Sequence, residues 1–260
     1  VTGRLVLCDL DGVVWLAHRP IAGSADAIAR LRAAGTTVLF VTNNSADTIA
    51  RQEAALAGVG VPATGAVLTS SMAAAHLVRP GERVLVVGGP GIFEALAARG
   101  VVAVDAHEHD DPAGFDAVMA GIDRRFTYDV LQVASGAVRA GARLVGTNDD
   151  ATFPTANGLI PGGGSLLAAI ATAAGAVPVV AGKPYEPMAA LVRELYGAAV
   201  DDAWVVGDRP DTDGRFARTL GCRFALVLSG VTTDPAGADP PGDLVGADLA
   251  AVATTLLHHG

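Results

Sequence analysis

The stretch Leu7-Cys8-Asp9-Leu10-Asp11-Gly12-Val13 decides how the chain is read. An apolar run ends there by presenting two carboxylates, two residues apart, beside a glycine. Side chains two apart leave a strand on the same side, so both acids can address one small target. Neighbouring carboxylates repel, and the usual relief is a bound divalent cation or a proton held by one of them. Taken alone, the pair is also what a polar strand end with two solvated acids looks like, so its companions matter.

Three further segments share that grammar of apolar approach and polar tip. Val38-Leu39-Phe40-Val41 leads into Thr42-Asn43-Asn44-Ser45, Val179-Val180-Ala181-Gly182 into Lys183-Pro184, and Trp204-Val205-Val206-Gly207 into Asp208-Arg209-Pro210-Asp211-Thr212-Asp213. In open α/β sheets ligands gather beyond the carboxyl ends of the strands, so four such tips can converge on one site. The separate alternatives are bland: a helix N-cap for Thr42–Ser45, a solvated lysine for Lys183, an Asp-rich turn for 208–213.

The rest of the chain fits this frame. Its 260 residues are 51% hydrophobic and 17% charged, which suits a compact fold of one large or two smaller domains. Strand-like runs alternate with alanine-rich helical patterns, as in βα units. Helices are expected near Ala25–Ala34 with Ser24 as N-cap, Asp47–Ala57, Ser71–Val78, Ile92–Ala98, Tyr128–Ala140 and Leu249–Leu257. The interval from Thr42 to Lys183 is too long to join neighbouring core elements, which points to an inserted domain. The expected division is a core of residues 1–79 and 182–260 with an insertion of 80–181. The run Val84–Gly91 lacks the full dinucleotide-binding glycine pattern and reads as a tight strand-to-helix turn.

A formal net charge of −9 argues against nonspecific nucleic-acid binding, which needs Lys and Arg on phosphates. Cys8 and Cys222 are not spaced as a metal or disulfide pair, consistent with a reduced, cytoplasmic chain. No apolar segment is long enough to cross a bilayer, and no function is assigned to His258 and His259.

Four motifs in this order, Asp-Leu-Asp-Gly-Val, Thr-Asn-Asn, Gly-Lys-Pro and Gly-Asp-Arg-x-x-Thr-Asp, resemble those of the haloacid dehalogenase superfamily. Pro154-Thr155 through Gly158, Pro161 and Gly162-Gly163-Gly164-Ser165 is similar to the cap-to-core signature of its NagD-like phosphatases. The resemblance implies a Rossmann-like, doubly wound parallel-sheet α/β core with an inserted α/β cap domain. It implies a Mg²⁺-dependent phosphatase that hydrolyses a small phosphorylated metabolite through an aspartyl-phosphate. Asp9 would be the nucleophile and Asp11 the general acid and base. Thr42, Asn43, Asn44 and Lys183 would bind phosphate. Asp9, Asp208 and the Asp11 carbonyl would hold the metal, and Asp213 would support a metal-bound water or the loop, with Asp211 as an accessory. The cap stretch Thr147-Asn148-Asp149-Asp150-Ala151-Thr152-Phe153-Pro154 would face the leaving group, with Thr147, Asn148, Asp149 and Phe153 as specificity candidates. Trp15 and His18 could line the entrance or serve as an anchor and a surface histidine. A phosphomutase or phosphotransferase, or a non-enzymatic regulator phosphorylated on Asp9, are the rival readings. An apolar cap face would also let two copies pair as a homodimer.

Overall fold

A computed structural model describes residues 4–155 and 157–258; His259 lies outside the described residues. The chain forms two compact units, one of Val1–Thr42, Ala50–Leu68 and Lys183–Gly260, the other of Asn43–Ile49 and Thr69–Gly182.

The first pass of the chain gives β1 (Leu5–Cys8), a small hairpin of β2 (Trp15–Leu16) and β3 (Arg19–Pro20), α1 (Ser24–Ala33), β4 (Thr37–Thr42), α2 (Ile49–Gly58) and β5 (Val67–Thr69). The middle of the chain supplies α3 (Ser70–Ala75), β6 (Arg83–Val87), α4 (Pro90–Ala98), β7 (Val102–Asp105), β8 (Ala117–Ala120), α5 (Tyr128–Arg139) and β9 (Arg143–Gly146). A second hairpin, β10 (Thr152–Thr155) and β11 (Gly158–Pro161), then α6 (Gly163–Ala174) and β12 (Val179–Val180) follow. The chain ends with α7 (Glu186–Tyr196), β13 (Trp204–Gly207), α8 (Arg215–Leu220), β14 (Arg223–Val227), β15 (Leu244–Gly246) and α9 (Leu249–His258).

The first sheet has the order β15-β14-β13-β1-β4-β5, with β1 parallel to both β4 and β13. This is the doubly wound, Rossmann-like order: the chain builds outward in one direction from β1, then returns to build in the other. The crevice at such a reversal, between β1 and β13, is where ligands bind in this architecture. Both strands are buried along their full length, which explains why they read as continuous apolar runs rather than alternating ones. The second unit carries its own sheet, ordered β12-β9-β8-β6-β7 and parallel throughout. It is filled by a cluster that includes Leu85, Val118, Val133, Leu144 and Leu167.

Two expectations from the sequence change in detail. Ser24 is the first helical residue of α1 rather than its N-cap. Gly23, at φ 81°, takes the cap position, and the Ser24 hydroxyl donates instead to the carbonyls of Val14 and Ile21 at 2.9 and 2.8 Å. The glycines of the 84–91 run pack tightly: a Cβ on Gly89 would lie 2.5 Å from the Ala46 carbonyl oxygen, and one on Gly91 2.3 Å from that of Asp47. Close backbone approach accounts for them. Among the described residues no helix is long and apolar enough to cross a membrane.

Leu85 is fully buried in the second unit's core, so Leu85→Ala leaves a cavity and is expected to cost about 2–5 kcal/mol. Chemical denaturation followed by circular dichroism checks this. An unchanged denaturant midpoint would show that the core collapses around the loss.

Candidate active site

The carboxyl ends of β1 and β13 meet at the reversal of the first sheet. Asp9, directly after β1, is tied to its neighbour strand by its N–H, which donates to the Val206 carbonyl at 2.9 Å. Asp208 follows β13, and Asp213 lies in one turn of wide helix over Pro210–Gly214. That turn is held by the Asp213 N–H on the Arg209 carbonyl at 2.7 Å. Lys183, from the segment before α7, reaches both sides: its Nζ donates to Asp9 Oδ1 at 2.6 Å and to Asp213 Oδ1 at 2.7 Å. Lys183, Asp208 and Asp213 are each at most 3% exposed.

Asp9, Asp208 and Asp213 each place a carboxylate oxygen within 4.8 Å of the others. Among the described residues they are the group of this kind suited to a metal ion. Burial raises the pKa of all three and Lys183 opposes it; Asp11 adds to the rise at Asp9, Asp213 and Asp9 to that at Asp208, and Asp9 to that at Asp213. Asp208 reaches about 7 from an ordinary 3.8. Burial alone would lower the Lys183 pKa, but the Asp213 and Asp9 carboxylates outweigh it and leave the ammonium firmly charged. Because Asp208 binds a proton more tightly folded than unfolded, its contribution to the stability of metal-free protein is full below about pH 4. It is lost as the pH rises through about 7.

The donor set fits a hard divalent cation, being oxygen-only and rich in carboxylate. The backbone crowds closely around Asp208. A Cβ on Gly12 would lie 2.3 Å from Asp208 Oδ2, and one on Gly230 would lie 1.9 Å from it. The Val231 N–H donates to the same oxygen at 2.5 Å, and the Ser229 hydroxyl donates to the Gly12 carbonyl at 2.6 Å. The Ser229-Gly230-Val231 loop after β14 is thus part of the site, and reading the sequence missed it. Its signal was a Ser-Gly pair at the end of an apolar run, which resembles any turn.

The remaining expected residues fall as follows. Asp11 accepts from the Ala17 N–H at 3.2 Å. Burial raises its pKa against the pull of the Trp15 indole and the Ala17 N–H. Thr42, at the end of β4, is buried in the first unit. Asp211 is exposed and pairs with Arg209 at 3.3 Å, outside the carboxylate cluster. Asn43 and Asn44 group with the second unit. There Asn43 Nδ2 donates to Asp150 Oδ2 at 3.0 Å, and Asn44 Oδ1 accepts from the Ala46 N–H at 3.0 Å. Thr147 and Asn148 are also buried in that unit. The Thr147 hydroxyl donates to Ser45 Oγ at 2.9 Å and Asn148 Nδ2 to the Asn43 carbonyl at 2.8 Å. Asp149 is exposed and Phe153 half-buried. Cys8 and Cys222 are free and buried; burial pushes both thiols up, Cys222 to about 11, so neither is a ready nucleophile.

The model of the haloacid dehalogenase-like hydrolases matches residues 6–102, and a second model for HAD-like hydrolases matches 180–252. A 5′-nucleotidase, YutF, from Bacillus subtilis is 34% identical over 230 residues, covering 87% of each chain. The chain belongs to the haloacid dehalogenase-like hydrolase family. A D-glycerol 3-phosphate phosphatase from Mycobacterium tuberculosis is 40% identical over 235 residues. That match takes in 88% of this chain but 64% of the relative, so this member of the family spans less than two thirds of that protein. The crystal structure of a glycerol phosphate phosphatase from the same organism, in complex with magnesium, superposes with a TM-score of 0.86 at 37% identity. It covers 96% of this chain and 76% of that one.

The crowding at Gly230 yields a test. Gly230→Ala must displace the Asp208 carboxylate or the loop, and Mg²⁺ affinity measured by calorimetry is expected to fall at least about tenfold, as when a supporting contact of a metal ligand is lost. Unchanged affinity would remove Asp208 from the metal site.

Proposed function

We propose that the protein is a Mg²⁺-dependent phosphatase that hydrolyses a small phosphorylated metabolite through an aspartyl-phosphate on Asp9. The observation that carries this reading is the buried Lys183 ammonium, shared between Asp9 and Asp213 at 2.6 and 2.7 Å, beside the metal-suited trio of carboxylates. The kinship with proteins named as phosphatases supports it, and the relative solved with magnesium supports the choice of cation.

Asp9 and Asp208, with the Asp11 carbonyl, would hold the cation, and Asp213 would steady Lys183 and the loop. The cation, when bound, supplies charge neutralisation between an anionic nucleophile and an anionic ester. The chain's own groups account for the rest. A carboxylate oxygen of Asp9 forms a bond to phosphorus while the bond from phosphorus to the leaving oxygen breaks. Asp11, its pKa raised by burial, gives its proton to that leaving oxygen. It then takes a proton from the water that attacks phosphorus, and the bond to Asp9 breaks to free phosphate. Lys183 and the Thr42 hydroxyl bind phosphoryl oxygens and offset their charge, with the Asn43 N–H and the Asn44 side chain as further candidates on the family pattern.

The intervening unit, expected over residues 80–181, would act as the cap that selects the ester. The buried pair Thr147 and Asn148 would then shape the loop from within, leaving exposed Asp149 and half-buried Phe153 to meet the leaving group. D-Glycerol phosphate, nucleoside monophosphates and sugar phosphates are the substrate classes named for the relatives. Water is favoured over a second substrate molecule as acceptor because those relatives are named as phosphatases and a nucleotidase.

Steady-state phosphate release from these three ester classes and from p-nitrophenyl phosphate, with Mg²⁺ or a chelator, tests the reading. Multiple turnovers that require Mg²⁺ are expected. Asp9→Asn should lower kcat by at least about 10³-fold while the unfolding temperature stays within a few degrees. Stoichiometric labelling of Asp9 without turnover would instead identify a regulator, and normal release by Asp9→Asn would remove Asp9 as the nucleophile.

A further inference from the structure

The hairpin that follows the double-Asp motif carries an unexplained donor. Trp15 is 1% exposed, and its indole Nε1 is buried with no hydrogen-bond partner among the described residues. A buried N–H without a partner is costly, and native chains rarely leave one so. Trp15 pairs with Asp11 through an isolated β-bridge, which sets the two side chains on one face at neighbouring positions. The Gly12 N–H donates to the Trp15 carbonyl at 2.7 Å, fixing that register. The indole is near enough to influence the Asp11 carboxyl without completing a hydrogen bond to it.

The hairpin is also strained in a way that serves this placement. Its two turn residues, Ala17 and His18, are both left-handed, at φ 47° and 63°, a conformation that usually falls to Asn or Gly. The return is visible on both sides of the turn. The Ala17 N–H reaches Asp11 Oδ1 at 3.2 Å, and the His18 ring lies against the Trp15 indole at 4.9 Å between centroids. Backbone strain held at such a point is characteristic of functional sites.

We infer that Trp15 is a positioning residue for Asp11: its indole N–H closes onto the Asp11 carboxyl when the ester is bound. Together with the Ala17 N–H it fixes which carboxyl oxygen faces the leaving group. The inference deepens the phosphatase reading and rests on it. In the free protein one of the two donors is engaged and the other waits; in the loaded site both are used. Trp15 touches neither the phosphoryl group nor the metal in this account and acts through Asp11 alone.

Two measurements decide the matter. Trp15→Phe keeps a ring in the pocket and removes the N–H. Its kcat/KM for D-glycerol 3-phosphate, whose alkoxide needs a proton to leave, should fall about tenfold or more. For p-nitrophenyl phosphate, whose leaving group needs little help, kcat/KM should change less than about twofold. This ratio reads the step in which the leaving oxygen departs, apart from the later attack of water that both esters share. An equal loss on both esters, or none on either, overturns the inference. The second measurement needs no change at Trp15 and so survives a variant that fails to fold. The chain has two tryptophans, so Trp204→Phe assigns the indole N–H signals in a nitrogen-edited NMR spectrum. Adding Mg²⁺ and orthovanadate should move the Trp15 N–H signal downfield as its hydrogen bond forms, and an unmoved signal overturns the inference. Wild-type protein that releases no phosphate from any ester overturns the phosphatase reading and this inference together. Active wild-type protein with either adverse result above overturns this inference alone.

Discussion

One ammonium among three buried carboxylates is the constraint from which the rest of the site follows. Lys183 satisfies Asp9 and Asp213, and Asp208 stands within the same cluster. With all four groups ionised the balance is 1 − 3 = −2, and a low-dielectric site does not carry two uncompensated charges. Protons relieve this at low pH, as the upward shift of Asp208 shows. A divalent cation held by the three carboxylates would relieve it at neutral pH. The doubly wound sheet supplies the place: its chain reversal brings the tips of β1 and β13 side by side, so Asp9 and Asp208 meet although far apart in sequence.

The surroundings of Asp208 show how closely the backbone is committed to that geometry. Gly12 and Gly230 approach the carboxylate from two loops, and neither position has room for a Cβ. The Val231 N–H then holds one carboxylate oxygen. Such support by neighbouring groups is what keeps metal ligands oriented. In the second unit the buried Thr147 hydroxyl bonds to Ser45 and the buried Asn148 amide to the half-buried Asn43. The segment that follows Thr42 is therefore rigidly seated in its own unit.

Much of this was legible in the residues. The strands β1, β4 and β13 read as apolar runs because they are buried along nearly their whole length, and their polar tips stand out because a charged residue at the end of such a run has few structural uses. Asp9, Lys183, Asp208 and Asp213 were named on that ground together with the family motifs, and the structure brings all four together. The Ser229-Gly230-Val231 loop was not legible, since its contribution lies in a close approach and a backbone N–H, which leave no distinctive side chain. Ser24 was misplaced by one residue for a similar reason: serine before an apolar period signals an N-cap, yet the Val14 and Ile21 carbonyls compete for its hydroxyl. Asp211 reads as an accessory beside Asp213 on the family pattern, and its residue type alone does not exclude it from the cluster. Only the wide turn of Pro210–Gly214, which points one inward and the other to solvent, separates them.

The charge balance at Lys183 is tested most directly by counting protons when Mg²⁺ binds. Titration calorimetry at pH 6 in two buffers of different ionisation enthalpy gives that count. With Asp208 raised to about 7, its carboxyl is mostly protonated at pH 6 in the metal-free protein, and Mg²⁺ takes the carboxylate. Binding is then expected to release protons at pH 6, the release to vanish by pH 9, and affinity to rise over the same range. Binding with no proton release at pH 6 would show the cluster already ionised without a cation and would overturn the charge balance at Lys183.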